Sequence, residues 1–257
     1  MEYTDRNADT VSPSCGSVRM GAMEVAWSTN ACGRAVSEDF FDFTSPSEID
    51  GSGNGFALAL ADGLSAPGNR GREAAESCVR TVLSDYMAAP AAWTPAQALE
   101  RSARSVNAWL FSANSRQPDA GSMLCTLTAL AFRDGVAHFG HVGDSRLYRI
   151  RSGVRERFTT DHVWPCTGMQ HVLRRAIGLD RHLVLDCRSE DTNPGDIFML
   201  LTDGVWEVIG ETGIGSAFDH GGNMVAIAND LVSRSIKLQK QYLGRNDATA
   251  ILVRIAD

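Results

Sequence analysis

Two apolar runs in this chain end on an aspartate followed by glycine. One is GFALALADGLSA, residues 55–66, with Asp62-Gly63, and the other is DIFMLLTDGVWEVI, residues 196–209, with Asp203-Gly204. Asp-Gly is a common way to leave a strand, so each pair taken alone reads as turn chemistry ahead of a ligand, and the case for ligands has to be cumulative. Two more acidic units accompany them. RAVSED, residues 34–39, sets Glu38 and Asp39 side by side ahead of Phe40 and Phe41, and HVGDSRLY places Asp144 between two apolar runs, where a tight hairpin is the simple expectation. Adjacent acids flanked by phenylalanines are costly to bury without a cation, and a divalent metal offsets that cost. Carboxylates and water, without His or thiolate partners, suit Mg²⁺ or Mn²⁺ better than zinc.

Other phosphate and metal machinery is missing. His138 and His141 stand three apart on an expected strand, which sends them to opposite faces, and His162 in TTDH reads as a loop anchor. There is no G-x-x-x-x-G-K-[ST], GSGNG at 51–55 precedes a strand and not a helix, and no cysteine has an arginine six positions later.

The elements that must position these acids are legible from periodicity. AMEVAWST alternates as a half-buried strand, and a loop over TSPSEIDGSGNG leads into the strand FALALA. REAAESCVRTVLSDYM carries Ala75, Cys78, Val79, Val82, Leu83 and Tyr86 on one helical stripe. TPAQALERSARSVNAWLF opens with Thr94, Pro95 and Gln97 as cap, first-turn proline and capping-box partner. SMLCTLTALAF, VAHFGHV and SRLYRIR follow, joined by links too short for a helical crossover, so antiparallel hairpins are expected. HLVLDC, DIFMLLT and ATAILVRI add strands, and NMVAIANDLVSRSIKLQ adds a third long helix. The class is α+β, with antiparallel sheet covered by helices. One domain is expected over residues 17–257, after a disordered tail over 1–16.

The chain has 257 residues, 44% hydrophobic and 21% charged, and a formal net charge of -7. That balance argues against nucleic acid or a membrane surface as partner, and it means that an anionic substrate needs local positive charge. Six cysteines without a C-x-x-C pair, and a polar start without an apolar segment, suggest a soluble cytoplasmic protein with reduced thiols.

The order of the units resembles the metal-dependent Ser/Thr protein phosphatases of the PP2C type, in the bacterial style. RAVSED, LADGLSAPGNRGREAAE, GSMLCTLTAL, HVGDSRLYRIRSG, TTDH, LRRAIG, LLTDGVWEVI and NDATAILV follow one another in family order across residues 34–253. The resemblance implies a central β-sandwich with helices on both outer faces. It implies that Asp62 bridges two Mn²⁺ or Mg²⁺ ions with help from the Gly63 carbonyl, that Asp203 binds one ion, and that Glu38 and Asp39 organise the other. Arg34 would hold the phosphoryl group, and Asp144 would belong to a third, weaker metal site. Two such ions could share a water and lower its pKa enough to attack phosphorus in line near neutral pH.

The chain departs from the family pattern in places. Asn246-Asp247 stands where an acid-first pair is usual, leaving the ligand there as Asn246 or Asp247. Leu64 replaces a histidine suited to protonating the leaving group, Glu207 replaces an aspartate, and about ten residues separate TTDH from LRRAIG, short for the family's flap. The implied partner is a phosphorylated protein, with a cognate Ser/Thr kinase. The alternative is a pseudophosphatase that keeps the fold as a phosphoprotein-binding module, and a metal-dependent phosphodiesterase acting on nucleotides is a third reading.

Overall fold

Strand register explains how acids far apart in sequence reach common edges. The structure, a computed structural model, describes residues 14–44, 53–64, 70–169, 171–219, 222–242 and 246–256. The chain divides into two compact units. The first takes residues up to Asp39, Arg146–Phe158 and Asn193 onward, and the second takes Phe40–Ser145 and Thr159–Thr192.

The first unit holds a six-stranded antiparallel sheet in the order β1-β2-β11-β10-β7-β8. Its strands are β1 (Ser14–Met20), β2 (Met23–Asn30), β7 (Arg146–Arg151), β8 (Val154–Arg157), β10 (Ile197–Leu201) and β11 (Ala248–Ile255). Pairing sets Ala248 opposite Asn30 and Leu201 opposite Ala250, so β2 ends, β10 ends and β11 begins at one edge of the sheet. One face of this sheet, through Met199, Leu201, Ala250 and Leu252, packs against helices α3 (Asp203–Ser216) and α4 (Met224–Tyr242). Phe198, Leu200, Ile251 and Val253 on the opposite face are buried too. Burial on both faces is why these strands read as continuous apolar runs and not as alternation.

The second unit holds a five-stranded antiparallel sheet, β3-β4-β5-β6-β9. Its strands are β3 (Asp39–Phe43), β4 (Phe56–Asp62), β5 (Leu127–Arg133), β6 (Val136–Val142) and β9 (Asp186–Asp191). Helix α1 (Gly71–Met87) buries the expected stripe against Ala57, Ala59, Leu127 and Ala129, and α2 (Pro95–Arg116) joins the same core through Leu99, Ala103, Val106 and Leu110. At the start of α2 the expected capping box is complete: Gln97 N–H donates to Thr94 Oγ1 and Thr94 N–H to Gln97 Oε1. Leu60 pairs with Thr128 and Val142 with Leu127, so the end of β4, the start of β5 and the end of β6 meet at one edge.

The structure corrects several expectations. The tail is not disordered as far as residue 16, because Ser14–Met20 pairs with β2 through a turn at Gly21, where φ is 58°; residues 1–13 lie outside the described set. The link from β6 to β7 is not a hairpin, since β6 pairs with β5 and β9 while β7 pairs with β10 and β8. The strand expected at 182–187 forms at 186–191. The strand ending at Leu201 is followed by α3, which begins at Asp203 itself. Much of the loop expected over 44–55 falls outside the described residues. Among the described residues no helix is long and apolar enough to cross a membrane.

Candidate active site

In the first unit, β2 runs out at Asn30 into a tight turn. Arg34 N–H donates to the Ala31 carbonyl at 2.9 Å, and the two central residues, Cys32 and Gly33, have φ of 49° and 85°. Cys32 tolerates the left-handed conformation because its N–H donates to Asn30 Oδ1 at 2.8 Å and its thiol to Gln239 Oε1 at 3.2 Å. The turn delivers Arg34 to the sheet edge where β11 begins. There Arg34 Nη1 donates to Glu38 Oε2 at 2.7 Å and to Asp247 Oδ2 at 3.2 Å, and Glu38 N–H donates to the same Asp247 oxygen at 2.7 Å.

Asp203 arrives from the next strand along. Thr202 occupies the cap position of α3 but makes no side-chain cap bond. Its hydroxyl donates to Asp39 Oδ2 at 2.9 Å and accepts the Thr249 N–H at 3.0 Å, which ties β10, β11 and Asp39 together beneath the site. Asn246 Nδ2 donates to Asp203 Oδ1 at 2.7 Å.

The glycine after Asp203 is required by contact. Its φ is not positive, and a Cβ there would stand 1.9 Å from the Asp247 carbonyl oxygen. Glycine therefore lets the start of α3 lie against the Asn246-Asp247 backbone, which brings Asp203 and Asn246 within bonding distance. Helix α4 locks that approach: Gln239, buried, donates from Nε2 to the Gly204 carbonyl at 3.0 Å and accepts the Asn246 N–H at 2.7 Å, while Ser235 Oγ donates to the same carbonyl.

Arg34, Glu38, Asp39, Asp203, Asn246 and Asp247 are thus brought together: four carboxylates, an arginine and an amide. The electrostatic consequence falls on the two buried acids. Burial, then repulsion from Asp247 and Asp203, pushes the Asp39 carboxyl well above its ordinary range. Burial lifts Asp247 to about 6, with Glu38 and Asp203 adding to the rise and the Glu38 N–H and Arg34 opposing it. Asp247 Oδ1 is buried without a hydrogen-bond partner. Among the described residues no three His, Cys, Asp or Glu side chains form a ready coordination group. The donors fit a hard cation all the same, because an orphaned carboxylate oxygen among mutually repelling acids is what such an ion relieves, with amide oxygen, backbone carbonyl and water completing its shell.

The second unit carries Asp62, Gly63 and Asp144. Asp62 closes β4, as its sequence suggested, and its N–H donates to Thr126 Oγ1 at 2.9 Å while its carbonyl accepts the Thr126 N–H at 2.8 Å. Thr126 Oγ1 also lies 3.2 Å from Ser145 Oγ, beside Asp144. Gly63, like Gly204, is a close-approach glycine: its φ is not positive, and a Cβ would meet the Gly71 carbonyl carbon and oxygen at 2.3 Å. The turn reading of both Asp-Gly pairs is thereby set aside. Asp144, buried, leaves β6 through Gly143, whose φ of 113° aims the chain away from a hairpin.

His162 fixes that exit. Its Nδ1 accepts the Gly143 N–H at 3.1 Å, which puts the ring proton on Nε2, facing Asp186 Oδ2 at 3.0 Å. His162 N–H donates to the Gly143 carbonyl at 2.7 Å, so the loop-anchor reading of this histidine holds. Sequence reasoning passed over Thr126, Thr202 and Gln239. The two threonines stand one residue from a strand end, a visible signal, whereas Gln239 is one polar residue on a helix and only its register in α4 gives it a role.

A family model described as Protein phosphatase 2C matches residues 35–240. The serine/threonine phosphatase stp of Listeria monocytogenes serotype 4b (strain F2365) is 22% identical over 215 residues, covering 76% of this chain and 83% of its own. Among solved structures, PppA, a key regulatory component of T6SS in Pseudomonas aeruginosa, is similar with a TM-score of 0.73 at 24% identity, covering 93% of this chain and 99% of that one. The S. agalactiae serine/threonine phosphatase has a TM-score of 0.75 at 20% identity, with 91% and 99% covered.

Proposed function

The chain belongs to the protein phosphatase 2C family, whose members are serine/threonine protein phosphatases, and on that basis we propose that it hydrolyses phosphoserine and phosphothreonine in proteins with two divalent ions, Mn²⁺ or Mg²⁺. The observation that carries the reading is the acid cluster around Arg34, in which two buried carboxylates are held at a cost that hard cations offset.

Asp62, the Gly63 carbonyl and Asp203 would hold the ions, with Glu38 and Asp39 organising their water and Asp144 serving a third, weaker site. At the C-terminal motif the ligand would be Asp247, whose Oδ1 is orphaned, while Asn246 orients Asp203. When bound, the ions supply a water of lowered pKa as nucleophile and offset the charge of the phosphate. Arg34 supplies a planar fork matched to phosphate oxygens, steadied by Glu38 and Asp247 and 26% exposed, so it can meet a substrate without being rebuilt. Leu64 follows Asp62-Gly63 and cannot donate a proton, which leaves the general acid unassigned and water as a candidate proton source for the leaving serine or threonine oxygen. The family match runs through both units. The enzyme would act in the cytoplasm on the products of a Ser/Thr kinase, a setting consistent with six free cysteines.

The test is turnover of a phosphothreonine peptide with and without Mn²⁺. Hydrolysis is expected only with metal, and Asp62→Ala is expected to lose at least about 100-fold. Metal-independent turnover, or a folded chain that binds the peptide without cleaving it at saturating Mn²⁺, would overturn the reading.

A further inference from the structure

Away from the acids, the second unit carries a cationic groove that the proposed chemistry does not use. Two clefts adjoin along α2 and share His182 and Leu183; one, of about 230 Å³, is lined also by Arg104, Asn107 and Arg181, and the other, of about 340 Å³, by Arg174, Arg175 and Asp180. Four arginines thus face one lining carboxylate in a chain whose net charge is -7. Arg104 is paired with Glu100 at 2.7 Å and Arg175 with Asp186 at 3.2 Å. The side chains of Arg174 and Arg181, both exposed, make no ion pair among the described residues.

The groove is built, not incidental. Asn107, 1% exposed, donates from Nδ2 to the Asp180 carbonyl and accepts the Gly178 N–H, both at 2.9 Å. Asn114, two helical turns further along α2, donates to the carbonyls of Met123 and Gly178 at 3.0 and 3.2 Å. Gly178 has φ of 84°, and a Cβ there would meet the Met123 carbonyl oxygen at 2.5 Å. The segment that carries the arginines is therefore clamped to the helix, so a ligand meets cations whose backbone is already ordered. Exposed Leu179 and Val184 flank them with apolar surface.

We propose that this groove docks an acidic segment of the phosphoprotein substrate, its carboxylates meeting Arg174 and Arg181 and its aliphatic stems lying on Leu183 and Val184. That the occupant is the substrate rests on the phosphatase reading above; that it is acidic rests on the groove alone. An extended, half-open pair of clefts fits a peptide strand better than a single small anion. Nucleic acid fits poorly, because a few cations on an acidic protein do not make the long basic stripe that a phosphate backbone needs.

The experiment measures binding of a fluorescein-labelled decapeptide of alternating Asp and Glu by anisotropy at low salt. The native chain is compared with Arg174→Glu/Arg181→Glu and with the milder Arg181→Gln. Binding to the native chain is expected, with at least about a tenfold loss in the double variant and a smaller loss in the single one. Turnover of p-nitrophenyl phosphate should be unchanged, while KM for a phosphothreonine peptide with acidic flanks should rise in the double variant at constant kcat. Equal peptide binding by native and double variant would overturn the proposal, as would tighter binding of a single-stranded oligonucleotide of the same length. If no phosphomonoester is hydrolysed by any form, the phosphatase reading falls while the anisotropy still reports on the groove.

Discussion

At the scale of single residues, the two Asp-Gly pairs carry the argument because their glycines are fixed by backbone contact. Gly204 lies against the Asp247 backbone and Gly63 against Gly71, so each aspartate is held by a neighbouring segment and not by a flexible turn. Charge is the second residue-scale matter. Asp247 sits at about 6 in the fold against roughly 3.9 in an unfolded chain. Between those values the folded state binds more protons than the unfolded one, so the metal-free fold loses stability as pH rises through that window, and the cost is fully present at pH 7. Urea unfolding in chelator should therefore find Asp247→Asn more stable than the native chain at pH 7, by up to roughly 3 kcal/mol, with the gap closing by pH 4. A gap independent of pH would mean that the carboxyl is not held at that cost.

Among the elements, α4 has the least obvious role and an exposed test. Gln239 touches no proposed ligand carboxylate, yet it bonds the Gly204 carbonyl and the Asn246 N–H together. Gln239→Ala leaves the Asn246 N–H without its partner and the Gly204 carbonyl held by Ser235 alone, so a loss of about 1–3 kcal/mol is expected in denaturant unfolding. Weaker Mn²⁺ binding should accompany it, because the spacing of Asp203 and Asn246 relaxes; unchanged metal affinity would show that the clamp serves stability alone. Elements with strong periodicity were legible before folding: α1, α2 and its capping box, β6 and β11 lie where the pattern places them. The misses have physical causes. Helix α3 hides because Gly204, Gly210, Gly213 and Gly215 lower its helical propensity, and Gly210, at φ 63°, does break it. β1 hides in a polar start since its partner β2, and not its own pattern, holds it. The link at Gly143-Asp144 has a hairpin's length but joins strands of different sheets, and pairing across sheets leaves no local signature.

For the molecule as a whole, the family match and the fold agree, and each unit pairs an antiparallel sheet with two of the described helices. The ordered series of acid motifs was readable because each borders an apolar strand, Asp62, Asp144 and Asp203 at its close and Asp39 and Asp247 at its opening. What each acid bonds to was not, because the partners Thr126, Thr202 and Asn246 become neighbours only through strand register. The chain's acidity also takes on two meanings at this scale: an acid-lined site that calls for cations, and a basic groove that stands out against it. The central proposal is that Asp62 and Asp203 each help to hold the hard ions of the proposed chemistry. Calorimetric titration of Mn²⁺ into the native chain, Asp62→Asn and Asp203→Asn tests it most directly. Two ions are expected in the native chain, with each variant losing at least one or binding it about 100-fold more weakly; full native stoichiometry and affinity in both variants would contradict the account.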